Sequence, residues 1–283
     1  MTPVSPQATE PRRPMSPWSR MTAVLGGLLI ASVLAGCATG AGSPVSGPSA
    51  EPMTESDEPE ARKRARLRIE LASGYFEQGK TTVALDEIKQ AVAADPTFGP
   101  AYVLRGLVYM RLNDNRLAEE SFQRALQLNP RDPDALHNYG WFQCRQGRHQ
   151  QAIDLFARAL ASPTYGGQAK TLKLKGVCQI NMGQLPEAEG TLARAYELDP
   201  ADPVTAYNLA NLIHRRGDDV KAQFYARRLN NSEMANAQSL WLGIRIERRL
   251  GERTAAEQLA QQLGRRFPQS PEWAAYRRGA FNE

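Results

Sequence analysis

Three histidines and three cysteines are the side chains best suited to chemistry in this 283-residue sequence: His137, His149, His214, Cys37, Cys144 and Cys178. Their spacing does not assemble a catalytic centre. The sequence has no H-E-x-x-H, C-x-x-C, G-x-S-x-G or phosphate-loop pattern. His137 and Trp141 fall one helical turn apart, on one face, but no nucleophile lies near them in the sequence. Cys144 and Cys178 can bridge in an oxidising compartment, although nothing in the sequence brings them together. The expectation is a chain with no catalytic residue, no metal and no small-molecule cofactor or substrate. Charge narrows the partners too. Thirty-five Lys and Arg against thirty Asp and Glu leave a formal +5. The arginines are spread along the chain, often beside glutamate, so a nucleic-acid footprint is not expected.

Cys37 has a different setting. Arg12, Arg13 and Arg20 precede a stretch of 15 mostly apolar residues, Met21 to Ala35, and then Leu34-Ala35-Gly36-Cys37. The stretch is short and rich in small residues, as in a secretory signal and unlike a membrane span. Leu, two small residues and Cys directly after it resemble the lipobox of bacterial lipoproteins. The resemblance implies cleavage before Cys37 and a covalent lipid on its sulfur. Residues 1–36 then form the signal peptide, with Met15 and Met21 as alternative initiators. By the same resemblance Ala38, where Asp favours retention in the inner membrane, points to the periplasmic face of the outer membrane. Residues 37–60 read as a lipidated flexible tether, because Gly, Ser, Pro and acidic residues leave almost nothing to bury. A coil of that length spans roughly 25–30 Å.

The elements that position the remaining residues come from an internal repeat. Residues 99–132 carry Tyr102, Gly106, Tyr109, Ala118, Phe122, Ala125 and Pro130 at positions 4, 8, 11, 20, 24, 27 and 32 of a 34-residue unit. That is the signature of the tetratricopeptide repeat (TPR). Further copies are read at 65–98, 133–166, 169–202, 203–235 and 236–268. The expected fold is all-α: a right-handed TPR superhelix of about six helix-turn-helix units over residues 61–268, with residues 269–283 as a capping helix. The small residue at position 8 allows helix A of each unit to approach helix B closely. Gly near position 15 supplies the turn, and Pro at position 32 stops helix B. No unit buries its apolar face alone, so stacking makes the core. Two extra residues separate the third and fourth copies, within Ser162-Pro163-Thr164-Tyr165-Gly166-Gly167. Cys178 stands where these repeats usually have alanine, which suits a buried filler.

A TPR array curves with its A helices on the concave side. Positions 2, 5, 9, 12 and 13 face that side, giving Val103, Leu107, Met110 and Arg111; His137, Trp141, Cys144 and Arg145; Lys173, Val177 and Asn181; and Tyr207, Asn211, His214 and Arg215. The candidate partner-binding groove is drawn from these as Val103, Leu107, Met110, His137, Trp141, Arg145, Lys173, Tyr207 and Asn211. Apolar side chains there supply affinity, while Arg and Asn bond a peptide backbone or acidic groups. About half of the set is expected to pack between neighbouring helices instead. Trp141 is the leading anchor, because the repeat usually has Asn there.

The stretch Asn236 to Gly251, NAQSLWLGIRIERRLG, followed by Phe267-Pro268, departs from the generic repeat. It is similar to the last repeat of the type IV pilus biogenesis and stability lipoproteins, the PilW/PilF pilotin family. The lipobox and six repeats fit that family as well. The resemblance implies an outer-membrane lipoprotein that binds secretin subunits and promotes their localisation and multimerisation. It supplies no catalytic residue. The alternative is a general periplasmic TPR adaptor for peptidoglycan enzymes or β-barrel assembly, which differs only in its partner.

Overall fold

Each repeat unit folds as two antiparallel helices, because its apolar residues recur at helical spacing and its turn residues fall between them. A computed structural model describes residues 57–281. The expected signal peptide, Cys37 and nearly all of the expected tether lie outside the described residues. Among those described, thirteen α-helices and no strand occur. The pairs are α1 (Glu60–Glu77) with α2 (Thr81–Ala94), α3 (Gly99–Arg111) with α4 (Asn115–Leu128), and α5 (Pro133–Arg145) with α6 (His149–Leu160). Then come α7 (Gln168–Asn181) with α8 (Leu185–Leu198), α9 (Pro203–Arg216) with α10 (Asp219–Asn230), and α11 (Ala237–Arg249) with α12 (Arg253–Arg266). A single helix, α13 (Pro271–Arg278), follows. This is the expected all-α TPR superhelix.

Close approach within a pair depends on the small residue at position 8. A Cβ on Gly140 of α5 would sit 2.8 Å from the Phe156 ring of α6. Phe156 is fully buried and packs with Ala152 and Cys178. In five of the six turns between helix A and helix B a glycine adopts positive φ, whereas the second unit has Asn113 at φ 59°. Asn is the residue that best tolerates this conformation after Gly. Helix starts are fixed by Asp114, Asp132, Asp202, Asp218, Asn236 and Ser270, whose side chains accept bonds from backbone N–H groups of the first turn.

The joint between the third and fourth units absorbs the two extra residues. Tyr165 turns inward against Leu136, Leu155 and Ala159 and is 8% exposed. Its hydroxyl lies 3.0 Å from Thr171 Oγ1 of α7. The loop is therefore a plug that carries its own piece of core. At the C-terminus, α13 covers the last pair. Trp273 and Tyr276 stack at 5.3 Å and pack with Leu240, Ile244 and Leu263.

Candidate partner-binding groove

The residues proposed for the groove divide by how far helix rotation turns them from solvent. Val103 and Met110 of α3 are 9% and 5% exposed and lie in the core shared with Tyr102, Phe122 and Phe142. That corrects the expectation that they line the groove: at these rotations their side chains point into the joint between units. Leu107 and Trp141 are half-buried and pack onto the same cluster. Trp141 also reaches Phe156 and Cys178. Four of the predicted residues, Val103, Leu107, Met110 and Trp141, thus meet, but only Leu107 and Trp141 offer an accessible edge. The guanidinium of Arg145 lies 5.7 Å from the Trp141 ring centroid, so a cation flanks the aromatic shelf.

The polar members lie on the later A helices. His137 is hydrogen-bonded to Thr171 Oγ1 at 2.7 Å. Burial lowers its pKa to about 4, and the positive charges of Lys170 and Lys173 push the same way, so its imidazole is neutral at pH 7. Lys173 Nζ donates to Asp202 Oδ2 at 2.6 Å. Burial and this ammonium act oppositely on Asp202, and the net result lies below the usual carboxylate range. Tyr207 and Asn211 of α9 are half-buried. Burial raises the Tyr207 phenol pKa, Glu272 of α13 adds to the rise and Arg245 of α11 opposes it.

Two residues of the concave positions play other parts. His214 is 2% exposed and hydrogen-bonds Asp219, which also pairs with Arg249 Nε at 3.0 Å. It ties α9 to α10 and α11 and is unavailable to a partner. Cys144 of α5 and Cys178 of α7 form a disulfide with Cα atoms 5.9 Å apart. It staples the A helices of adjacent units beside Trp141.

Arg245 was missed as a groove residue. Its Nε is buried and has no hydrogen-bond partner among the described residues. With Tyr207 near, it presents a donor suited to a carbonyl or carboxylate. The signal was in the sequence, since Arg245 ends the stretch Ser239 to Arg245 that departs from the repeat pattern. The concave positions so described hold an aromatic and apolar shelf at Leu107 and Trp141 with the Arg145 cation beside it, the Lys173–Asp202 ion pair, and Arg245 near Tyr207. Together they hold chemistry for binding a peptide segment.

Residues 103–166 match the family model described as tetratricopeptide repeat. The type IV pilus assembly protein PilF of Pseudomonas aeruginosa is 27% identical over 248 residues, covering 88% of this chain and 95% of that protein. The solved structure of Pseudomonas aeruginosa PilF superposes with a TM-score of 0.73 at 25% identity, covering 77% of this chain and 99% of that one. The crystal structure of PilW, a widely conserved type IV pilus biogenesis factor, superposes with a TM-score of 0.68 at 31% identity. That match covers 75% of this chain and 97% of PilW. The chain belongs to the tetratricopeptide-repeat proteins of type IV pilus biogenesis. Tetratricopeptide repeats act as scaffolds for protein partners. Coverage of 99% of the PilF structure and 97% of the PilW structure means that the likeness is not confined to a local run of repeats.

Proposed function

We propose that this pilus TPR protein is a lipid-anchored scaffold at the periplasmic face of the outer membrane. There it binds secretin subunits and promotes their localisation and multimerisation. The observation that carries the reading is the end-to-end likeness to PilF, 95% of whose length is matched by this chain. The sequence Leu34-Ala35-Gly36-Cys37 supplies the anchor, through a lipid on Cys37, and two or more acyl chains hold a protein stably on a bilayer. The groove around Trp141 supplies the contact. An apolar shelf beside cationic donors suits a segment with one large apolar side chain and neighbouring acidic or carbonyl groups.

The test is co-purification of secretin from detergent-solubilised outer membranes, using the tagged wild-type chain and Trp141→Ala. Wild type should retain secretin. Trp141→Ala should lose about thirtyfold in affinity, the effect of about 2 kcal/mol at an aromatic anchor, while its helical circular dichroism persists. Absence of secretin from the wild-type eluate would reject the partner. Undiminished capture by a folded Trp141→Ala chain would reject the groove and leave the convex face or the terminal unit around Trp241 as the contact.

A further inference from the structure

The disulfide between Cys144 and Cys178 has a third neighbour. His149, the first residue of α6, places its Nδ1 3.4 Å from Cys178 Sγ and 3.8 Å from Cys144 Sγ. The three ligand atoms all lie within 4.8 Å of one another. They come from three helices: the last turn of α5, the start of α6 and the last turn of α7. We propose that, with the disulfide reduced, Cys144, Cys178 and His149 form a site for a thiophilic closed-shell divalent cation, of which Zn2+ is the type.

The geometry is that of such a site in all but one distance. Zinc bonds to sulfur at about 2.3 Å and to imidazole nitrogen at about 2.0–2.1 Å in a tetrahedron, so nitrogen and sulfur ligands sit roughly 3.6 Å apart. Both nitrogen–sulfur distances already lie close to that. Only the two sulfurs must separate, from bonding distance to about 3.8 Å, and Cα atoms 5.9 Å apart leave room for that by side-chain rotation. The donor set is chemically consistent: two thiolates balance the dication and one neutral imidazole completes three protein ligands. Cys178 is fully buried and Cys144 is partly exposed. An ion can therefore enter from the Cys144 side, and a fourth position stays open there for water or a partner's side chain.

The steps balance. A dithiol reductant transfers two electrons and two protons to the disulfide, giving two thiols and its own disulfide. The cation then displaces both thiol protons to solvent and bonds two thiolates and Nδ1 of His149, whose remaining proton sits on Nε2. The joint between the third and fourth units would thus be held covalently when oxidised and by the metal when reduced. The sequence hid this because the three residues match no short ligand motif. Cys144 and His149 are five apart in a turn, and Cys178 is one repeat away.

The experiment uses the full chain with Cys37→Ser, so that only this cysteine pair remains, reduced with a phosphine and kept under argon. Zn2+ alone is titrated against a chromophoric chelator, and Co2+ serves as a spectroscopic stand-in. The reduced chain should take up one Zn2+ equivalent, raise its Tm on doing so, and show thiolate-to-cobalt charge-transfer absorption. The oxidised chain should take up none. His149→Gln should bind at least about tenfold more weakly, and Cys144→Ser should lose the absorption, with helical circular dichroism reporting that each is folded. Zinc uptake by the reduced chain no greater than that of Cys144→Ser would overturn the site. Equal affinity in His149→Gln would overturn the role of His149 and with it the three-ligand site.

Discussion

His137 shows how a residue that looks reactive is tamed by its surroundings. Its ring packs 6.1 Å from Phe156 and bonds Thr171, and its pKa falls to about 4 through burial and then the charges of Lys170 and Lys173. An unfolded chain has an ordinary histidine near 6.5. Between pH 6.5 and 4 the unfolded state therefore binds a proton that the folded state refuses. Stability is full above the unfolded pKa and falls as the pH drops towards 4, by up to about 3 kcal/mol. Urea unfolding at pH 7 and pH 4.5 should show a steeper loss for the wild-type chain than for His137→Gln, which keeps a polar group but no proton equilibrium. Parallel losses in the two proteins would show that His137 is not the group refusing the proton. The sequence placed His137 and Trp141 on one helical face, one turn apart. It could not show which of the residues beside them faced inward, because each step along a helix turns a side chain by 100°. A small error in that angle puts Val103 and Met110 in the core and leaves Leu107 at the surface. Nor could it pair Cys144 with Cys178, since their positions within the two units differ and the inserted loop lies between them.

Among the elements, the helix pairs were the most legible feature, because close approach demands a small residue and a turn demands positive φ. Gly140 and Gly190 separate the two demands that a helical glycine can meet. A Cβ at Gly140 would meet Phe156 at 2.8 Å, but at Gly190 in α8 nothing lies within 4 Å. Gly140→Leu should overpack the joint of α5 and α6 and cost about 1–3 kcal/mol. Gly190→Ala should gain about 0.5–1 kcal/mol through helix propensity alone. Thermal melts of the two variants should therefore shift in opposite directions from wild type. A Gly140→Leu melt unchanged from wild type would mean that the ring of Phe156 does not rest on that glycine. The inserted loop was legible as a length, but not as a plug. Its sequence of Ser, Pro, Thr and Gly reads as exposed turn, and only the pocket formed by Leu136, Leu155 and Ala159 explains why Tyr165 turns inward.

At the scale of the whole molecule, the function proposed above requires the repeat array to offer its groove at a membrane to which a lipid on Cys37 would tie it. The stacked units bury a series of apolar clusters along the array, the last of them covered by Trp273 and Tyr276. A scaffold acting as proposed would hold subunits at a surface, so its loss should leave subunits made but unassembled. The function proposed above makes secretin multimerisation depend on this chain. The most direct measurement of that dependence is an immunoblot of unboiled outer membranes from a strain deleted for the protein, scored for secretin multimer and monomer. The multimer band should be lost and the monomer retained, and expression of the wild-type chain should restore the multimer. Secretin multimers at wild-type abundance in the deletion strain would contradict the account.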